Sequence, residues 1–220
     1  MSTEAVTPRR LLVLSAGVSD PSSSRMLADR LADATVDALT EAGIRVELRT
    51  VDLRDHAADL ANAGVTRYET PAVAEVMAAL RSADAVIAIT PIFNASYSGL
   101  FKTFFDVADK EALAGVPVVL GATAGTPRHS LALDFAVRPL FAYLRADVMP
   151  TAVFAATGDW GDAEAEGADE LVARIGRAAR ELASAIETRS PRPLITSGEN
   201  DLPELTTDFA SMLSALGQTP

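Results

Sequence analysis

Three short stretches carry the side chains best suited to chemistry. The first, Ser15-Ala16-Gly17-Val18-Ser19-Asp20-Pro21-Ser22-Ser23-Ser24-Arg25, gathers hydroxyls just ahead of a helically spaced apolar segment. A phosphate monoester needs several neutral donors converging on its terminal oxygens. Serine hydroxyls and the unsatisfied N–H groups of a helix N-terminus supply them, and the helix dipole adds its field. Neither G-x-G-x-x-G nor G-K-[ST] occurs in the stretch, so the pattern suits a terminal phosphate and not a bridging pyrophosphate. Ser22, Ser23 and Ser24 read equally as an ordinary helix cap, and the stretch alone does not choose.

The second stretch, Thr90-Pro91-Ile92-Phe93-Asn94-Ala95-Ser96-Tyr97-Ser98-Gly99, is delimited by Pro91 and Gly99. Backbone amides of an irregular loop, with the Asn94 side chain, match the alternating donors and acceptors along the edge of a planar heterocycle such as isoalloxazine. Flanking aromatics would cover its face. A plain strand-to-helix connection with an incidental aromatic fits the composition as well. In the third stretch, Thr123-Ala124-Gly125-Thr126-Pro127-Arg128-His129, Gly125 permits close backbone approach to a flat ligand.

These stretches need elements to hold them. Apolar runs at Leu11–Leu14, Val46–Val51, Ala85–Ile89, Val116–Leu120 and about Thr151–Ala155 predict five strands. Helical spacing fills the intervals. It runs from Ser24 to a Gly43 cap, from Pro71 to about Ser82, from Gly99 to Ala108, from about Leu131 to Leu144, and within Glu164–Glu187. Asp52–Arg67 reads as a loop with some helix. Alternation of strand and helix predicts an α/β fold, a doubly wound, five-stranded parallel sheet, and the strand order 2-1-3-4-5 across it is borrowed from the flavodoxin-like arrangement. Ligands of such sheets sit beyond the carboxyl ends of the strands at the switch point, where all three stretches fall. Residues 1–189 are expected to form one domain. Residues 190–220 form a proline-containing tail with room for a short amphipathic helix at Leu205–Leu216.

Composition narrows the choices further. Of 220 residues, 49% are hydrophobic and 22% charged, enough for one sizeable core. A formal net charge of -11 opposes a phosphate polymer or an anionic membrane, so no nucleic acid and no membrane partner is expected. The chain has no cysteine, which excludes disulfides, thiol nucleophiles and iron–sulfur ligation. His56 and His129 are the only histidines, without an H-E-x-x-H pattern, so no metal site is expected. No G-x-S-x-G elbow and no nucleophile with a partnered base stands out, and no catalytic acid or base is nominated. The first ten residues hold no apolar leader, no run reaches the roughly 18 apolar residues of a membrane span, and the expected compartment is the cytoplasm.

The segment T-P-I-F-N-A-S-Y-S-G-L-F-K-T-F-F-D, Thr90 to Asp106, resembles the T-P-x-[YF]-N-x-S-x-x-G-x-[LF]-K-x-x-x-D signature of NADPH-dependent FMN reductases in the flavodoxin-like superfamily. Ser15–Ala32 and Ala122–Leu144 resemble the branch that accompanies luciferase-like flavin-dependent monooxygenases. The likeness spans roughly Leu11 to Trp160. It implies that Ser15, Ser19, Ser22, Ser23 and Ser24 meet the FMN phosphate, that Pro91, Ile92, Phe93, Asn94, Ser96 and Tyr97 line the flavin, and that Thr123, Ala124 and Gly125 close its far side. Relatives often place an arginine about where this chain has Ser19, which leaves Arg25 to compensate or to stand as a solvated helix residue. Arg128 and His129 are candidates for the phosphates of a nicotinamide nucleotide, or simply an exposed arginine and a capping histidine. Trp160 reads as a packing or subunit-interface anchor.

The implied activity is hydride transfer from NADPH or NADH to FMN, with the cofactors carrying the chemistry and the protein orienting them. Reduced flavin would pass to a flavin-dependent monooxygenase partner, from a homodimer or homotetramer. Two rivals stay open: an FMN-containing quinone or azo-type reductase, and a non-enzymatic flavodoxin-like electron carrier.

Overall fold

Strands β1 (Arg9–Ser15), β3 (Ala85–Phe93) and β5 (Pro117–Ala124) are buried along almost their whole length, as their unbroken apolar composition requires. The computed structural model describes residues 7–160 and 168–196. With β2 (Val46–Asp52) at one edge, the strands pair in parallel in the order β2-β1-β3-β5. The last position is shared by β6 (Asp147–Val148) and β7 (Val153–Ala156), both parallel to β5; a short hairpin strand, β4 (Ser96–Tyr97), pairs antiparallel with β3. The expected order 2-1-3-4-5 is present, with its fifth position split. Pro150, lacking a backbone donor, lies in the gap.

Period-two alternation sends Leu11, Val13, Ile87 and Ile89 to a face covered by α1 (Ser23–Glu41) and α6 (Ala168–Glu187). Leu12, Leu14, Val86 and Ala88 face α3 (Pro71–Ser82), α4 (Gly99–Val107) and α5 (Arg138–Tyr143). On that second face Phe101, Phe105 and Phe141 form an edge-to-face cluster, with Phe105 4.9 Å from each of the other two. It fixes α4 and α5 under the hairpin.

Three expectations change. Asp52–Arg67 is mostly helical, a 3₁₀ turn at Leu53–His56 followed by α2 (Ala57–Thr66), which ends at Arg67 with φ 60°. The helix expected over Leu131–Leu144 is interrupted, with a π-helical turn at Leu133–Val137 and only six α-helical residues after it. Pro139 cannot donate to the carbonyl four residues back, and the wider turn stands ahead of it.

The third change concerns β3, which continues through Pro91 to Phe93. In a parallel strand every second residue turns its backbone the same way, and the Ile89 carbonyl accepts from Ala16 N–H on the β1 side (2.9 Å). Pro91 therefore faces that side too, beyond Ser15, where β1 has ended and no donor is wanted.

Residues 190–196 run as a strap across the amino ends of the strands. The Asp84 carboxylate accepts from Arg10 N–H (2.7 Å) and Arg192 N–H (2.6 Å). Ser82 Oγ accepts from Ile195 N–H (2.8 Å) and donates to the Ile195 carbonyl (3.2 Å). The Arg9 and Arg10 guanidiniums donate to the Arg189 and Arg192 carbonyls. The segment Leu205–Leu216 lies outside the described residues. Among the described residues no helix is long and apolar enough to cross a membrane.

Candidate functional site

Beyond Ser15 the chain leaves the sheet at Ala16 and Gly17, passes through exposed Val18–Pro21, and returns at Ser22 to start α1. Ser22 is the N-cap, its Oγ accepting from Arg25 N–H at 3.2 Å. A Cβ on Gly17 would lie 1.9 Å from Ser22 Oγ and 3.2 Å from Ser24 Cβ, so the loop folds this close to the helix mouth only without a side chain there. The Ser23 and Ser24 N–H groups have no partner among the described residues. Ser15 Oγ is fully buried, also without a partner. A buried hydroxyl left so costs about 1–3 kcal/mol, a penalty that a polar ligand atom would lift.

Ser24 Oγ lies 2.7 Å from Thr123 Oγ1, both buried, and this contact ties the mouth of α1 to the end of β5. Whichever hydroxyl accepts keeps its own proton to donate elsewhere. Thr123 pairs in register with Pro91, so the first, second and third stretches meet at one edge of the sheet. Ser15, Ser22, Ser23 and Ser24 are gathered there. Ser19 sits at the exposed apex, its carbonyl accepting from Arg54 Nη1 at 2.8 Å.

Arg25 is not a free cation. Its Nη1 meets Asp52 Oδ2 at 2.6 Å and its Nε meets Asp29 Oδ1 at 2.8 Å. The hydrogen bond that Arg25 donates to Asp29 raises its pKa above the ordinary arginine value, burial opposes, and Asp52 adds to the rise. The guanidinium joins the end of β2 to α1, and the groups the loop leaves unpartnered among the described residues are a hydroxyl and amides.

The second stretch is a hairpin and not an irregular loop. Asn94 (φ 49°) and Ala95 (φ 67°) form a two-residue type I′ turn between Phe93 and Ser96. Beneath it Thr90 Oγ1 accepts from Ser98 N–H at 3.1 Å and donates to the Pro91 carbonyl at 3.0 Å. Ile92 packs its side chain into the core, and Tyr97 lies 6.0 Å from Phe101. What the hairpin presents outward is the half-exposed Phe93 ring, Asn94 and the backbone between them. Across from it, Thr123 is buried, Ala124 partly so and Gly125 exposed.

Arg128 and His129 lie on a 3₁₀ turn, the arginine exposed, neither in an ion pair among the described residues. Trp160 packs between α1 and α6 with the Arg30 guanidinium 5.2 Å over its ring. Next to the hairpin the segment around the π-turn exposes Leu131, Phe135 and Tyr143, the last two by more than three quarters. Sequence reasoning did not find Gly17, Thr90 or Asp52. Gly17 carried a signal, a glycine between the strand and the serines. Asp52 carried none, because nothing local links it to an arginine 27 positions earlier.

The family model for NADPH-dependent FMN reductase matches residues 9–161. Among characterised relatives, the NADH-dependent FMN reductase SfnF of Pseudomonas fluorescens is 35% identical over 189 residues, covering 86% of this chain and 97% of that protein. The FMN reductase (NADPH) of Pseudomonas aeruginosa is likewise 35% identical over 189 residues, covering 84% and 96%. The structure of an oxidoreductase from Corynebacterium diphtheriae superposes with a TM-score of 0.79 at 48% identity, covering 83% of this chain and 99% of that one. The apo NADH:FMN oxidoreductase EMOB superposes at 0.72 with 26% identity, covering 84% and 95%.

Proposed function

This chain belongs to the NADPH-dependent FMN reductase family, and from that premise we propose how its residues serve the reaction. It is an oxidoreductase that uses a nicotinamide nucleotide to reduce FMN. The carrying observation is the serine loop, with a buried Ser15 hydroxyl and two α1 amides lacking partners at the switch point of the sheet. Ser15, Ser22, Ser23 and Ser24 hold the terminal phosphate, with Ser19 at the exposed rim of the same loop. The backbone of Pro91 and Ile92, with Phe93, Asn94, Ser96 and Tyr97, borders one side of the ring. Thr123, Ala124 and Gly125 border the other.

Bound there, the nicotinamide nucleotide would supply a hydride and the flavin ring would accept it. No side-chain acid or base is assigned; the residues orient two flat rings and keep water from between them. The Asn94 and Gly125 backbone would stabilise negative charge on the reduced ring, as fixed amides do. The exposed apolar group of Phe93, Leu131, Phe135 and Tyr143 supports self-association into a homodimer or homotetramer that covers the site. Reduced flavin would then be handed to a flavin-dependent monooxygenase in the cytoplasm.

Steady-state oxidation of NADPH and NADH, each with and without FMN, tests the reading. FMN-dependent turnover with at least one nucleotide is expected, and none with either overturns it.

A further inference from the structure

At the amino edge of the sheet, about 20 Å along β1 from the serine loop at the usual strand rise, a cavity of about 160 Å³ opens under the strap. Arg9, Asp84, Arg189, Ser190 and Arg192 line it, with the Gly115–Pro117 backbone. The carboxylates nearby are already engaged. Asp84 is held by the Arg10 and Arg192 N–H groups, and Asp147 pairs with the Arg189 guanidinium. The side chains of Arg9 and Arg192 have no carboxylate within 4.0 Å among the described residues. Among the described residues Arg9 Nη1 is buried without a hydrogen-bond partner.

Burial lowers the Arg192 pKa, Asp84 works against that, and the like charge of Arg10 adds to the lowering. A guanidinium cannot relieve such a position by losing its proton at ordinary pH. An unmatched, partly buried cation is costly, and an anion entering the cavity would lower that cost. The spot is also anomalous in a protein of formal net charge -11.

We propose that this cavity is an anion site for a small tetrahedral dianion, of the phosphate or sulfate class, held between Arg9 on β1 and Arg192 on the strap. The planar forks suit oxyanion edges, and the cavity has room for one such ion with water. Because Arg9 belongs to β1 and Arg192 to the strap, an ion held by both fastens the strap to the sheet. The site is separate from the flavin site and does not depend on it.

The test uses the full chain saturated with FMN, so that the serine loop cannot take up free phosphate. Thermal melting and titration calorimetry are run with inorganic phosphate, then sulfate, against chloride at matched ionic strength. A saturable rise in Tm with phosphate and sulfate is expected. Arg192→Gln, whose side chain makes no hydrogen bond among the described residues, should weaken phosphate on the order of tenfold while leaving stabilisation by FMN unchanged. Should that variant not fold, Arg192→Lys keeps the charge but loses the fork, and a several-fold loss is expected. No phosphate effect in the FMN-saturated wild type, an equal effect from chloride, or unchanged phosphate affinity in the folded Arg192 variant would each overturn the proposal.

Discussion

The two ends of the sheet treat their polar groups in opposite ways. At the carboxyl edge, Ser15 Oγ and the Ser23 and Ser24 amides stand without a hydrogen-bond partner among the described residues. At the amino edge, Asp84 and Ser82 are committed to the strap through its backbone, and one guanidinium nitrogen each of Arg9 and Arg10 donates to strap carbonyls, with Arg9 Nη1 left over. One end holds donors ready for something that arrives. The other closes the fold. The same residue chemistry thus gives a site or a clamp depending on whether the chain's own backbone returns to it, and substitutions at the two ends should separate cleanly in their effects.

The largest expected effect is on stability at the amino edge. Asp84→Ala leaves the Arg10 and Arg192 N–H groups without their acceptor and Arg10 without its counter-ion. Denaturant unfolding should show a loss of about 3 kcal/mol, with the KM for FMN of the remaining folded protein unchanged. A large KM shift would mean that the two ends are coupled. At the carboxyl edge the sign of the contrast reverses. Gly17→Val places atoms where Ser22 Oγ stands, and the KM for FMN should rise by about a hundredfold, near 2.7 kcal/mol, with a smaller change in Tm. A variant with ordinary flavin kinetics would remove the serine loop from the site.

Smaller changes sharpen the line. Ser22→Ala removes the α1 N-cap and should cost about 1 kcal/mol of stability, with a several-fold rise in KM for FMN. Equal KM would leave Ser22 a cap alone. Smallest is Ala95→Gly, which relieves a left-handed non-glycine residue in the hairpin and should stabilise by about 0.5–1 kcal/mol. If thermal melting shows a loss instead, the turn is held by contacts of the Ala95 methyl.

Much of the frame was legible because burial writes itself into composition. Leu11–Leu14, Ala85–Ile89 and Val116–Leu120 are apolar without interruption since both faces of the sheet are covered. The position of the serine stretch after β1 was readable for the same reason. What was hidden depended on partners distant in sequence. The strap engages Arg10 and Asp84 from 182 and 108 residues away, and no local pattern marks it. Pro91 misdirected the reading of β3, because a proline ends a strand only where its neighbour demands a donor. The π-turn was masked by residues whose spacing suits an α-helix equally well.

One consequence remains in the pairing of Arg25 with Asp29 and Asp52. A loop that meets a dianionic phosphate with neutral donors gains little from long-range attraction, so flavin affinity should depend only weakly on ionic strength. Release is then limited by the breaking of short hydrogen bonds and not by the separation of opposite charges. The residence time of a flavin in the proposed site thereby becomes a property of where one arginine is turned.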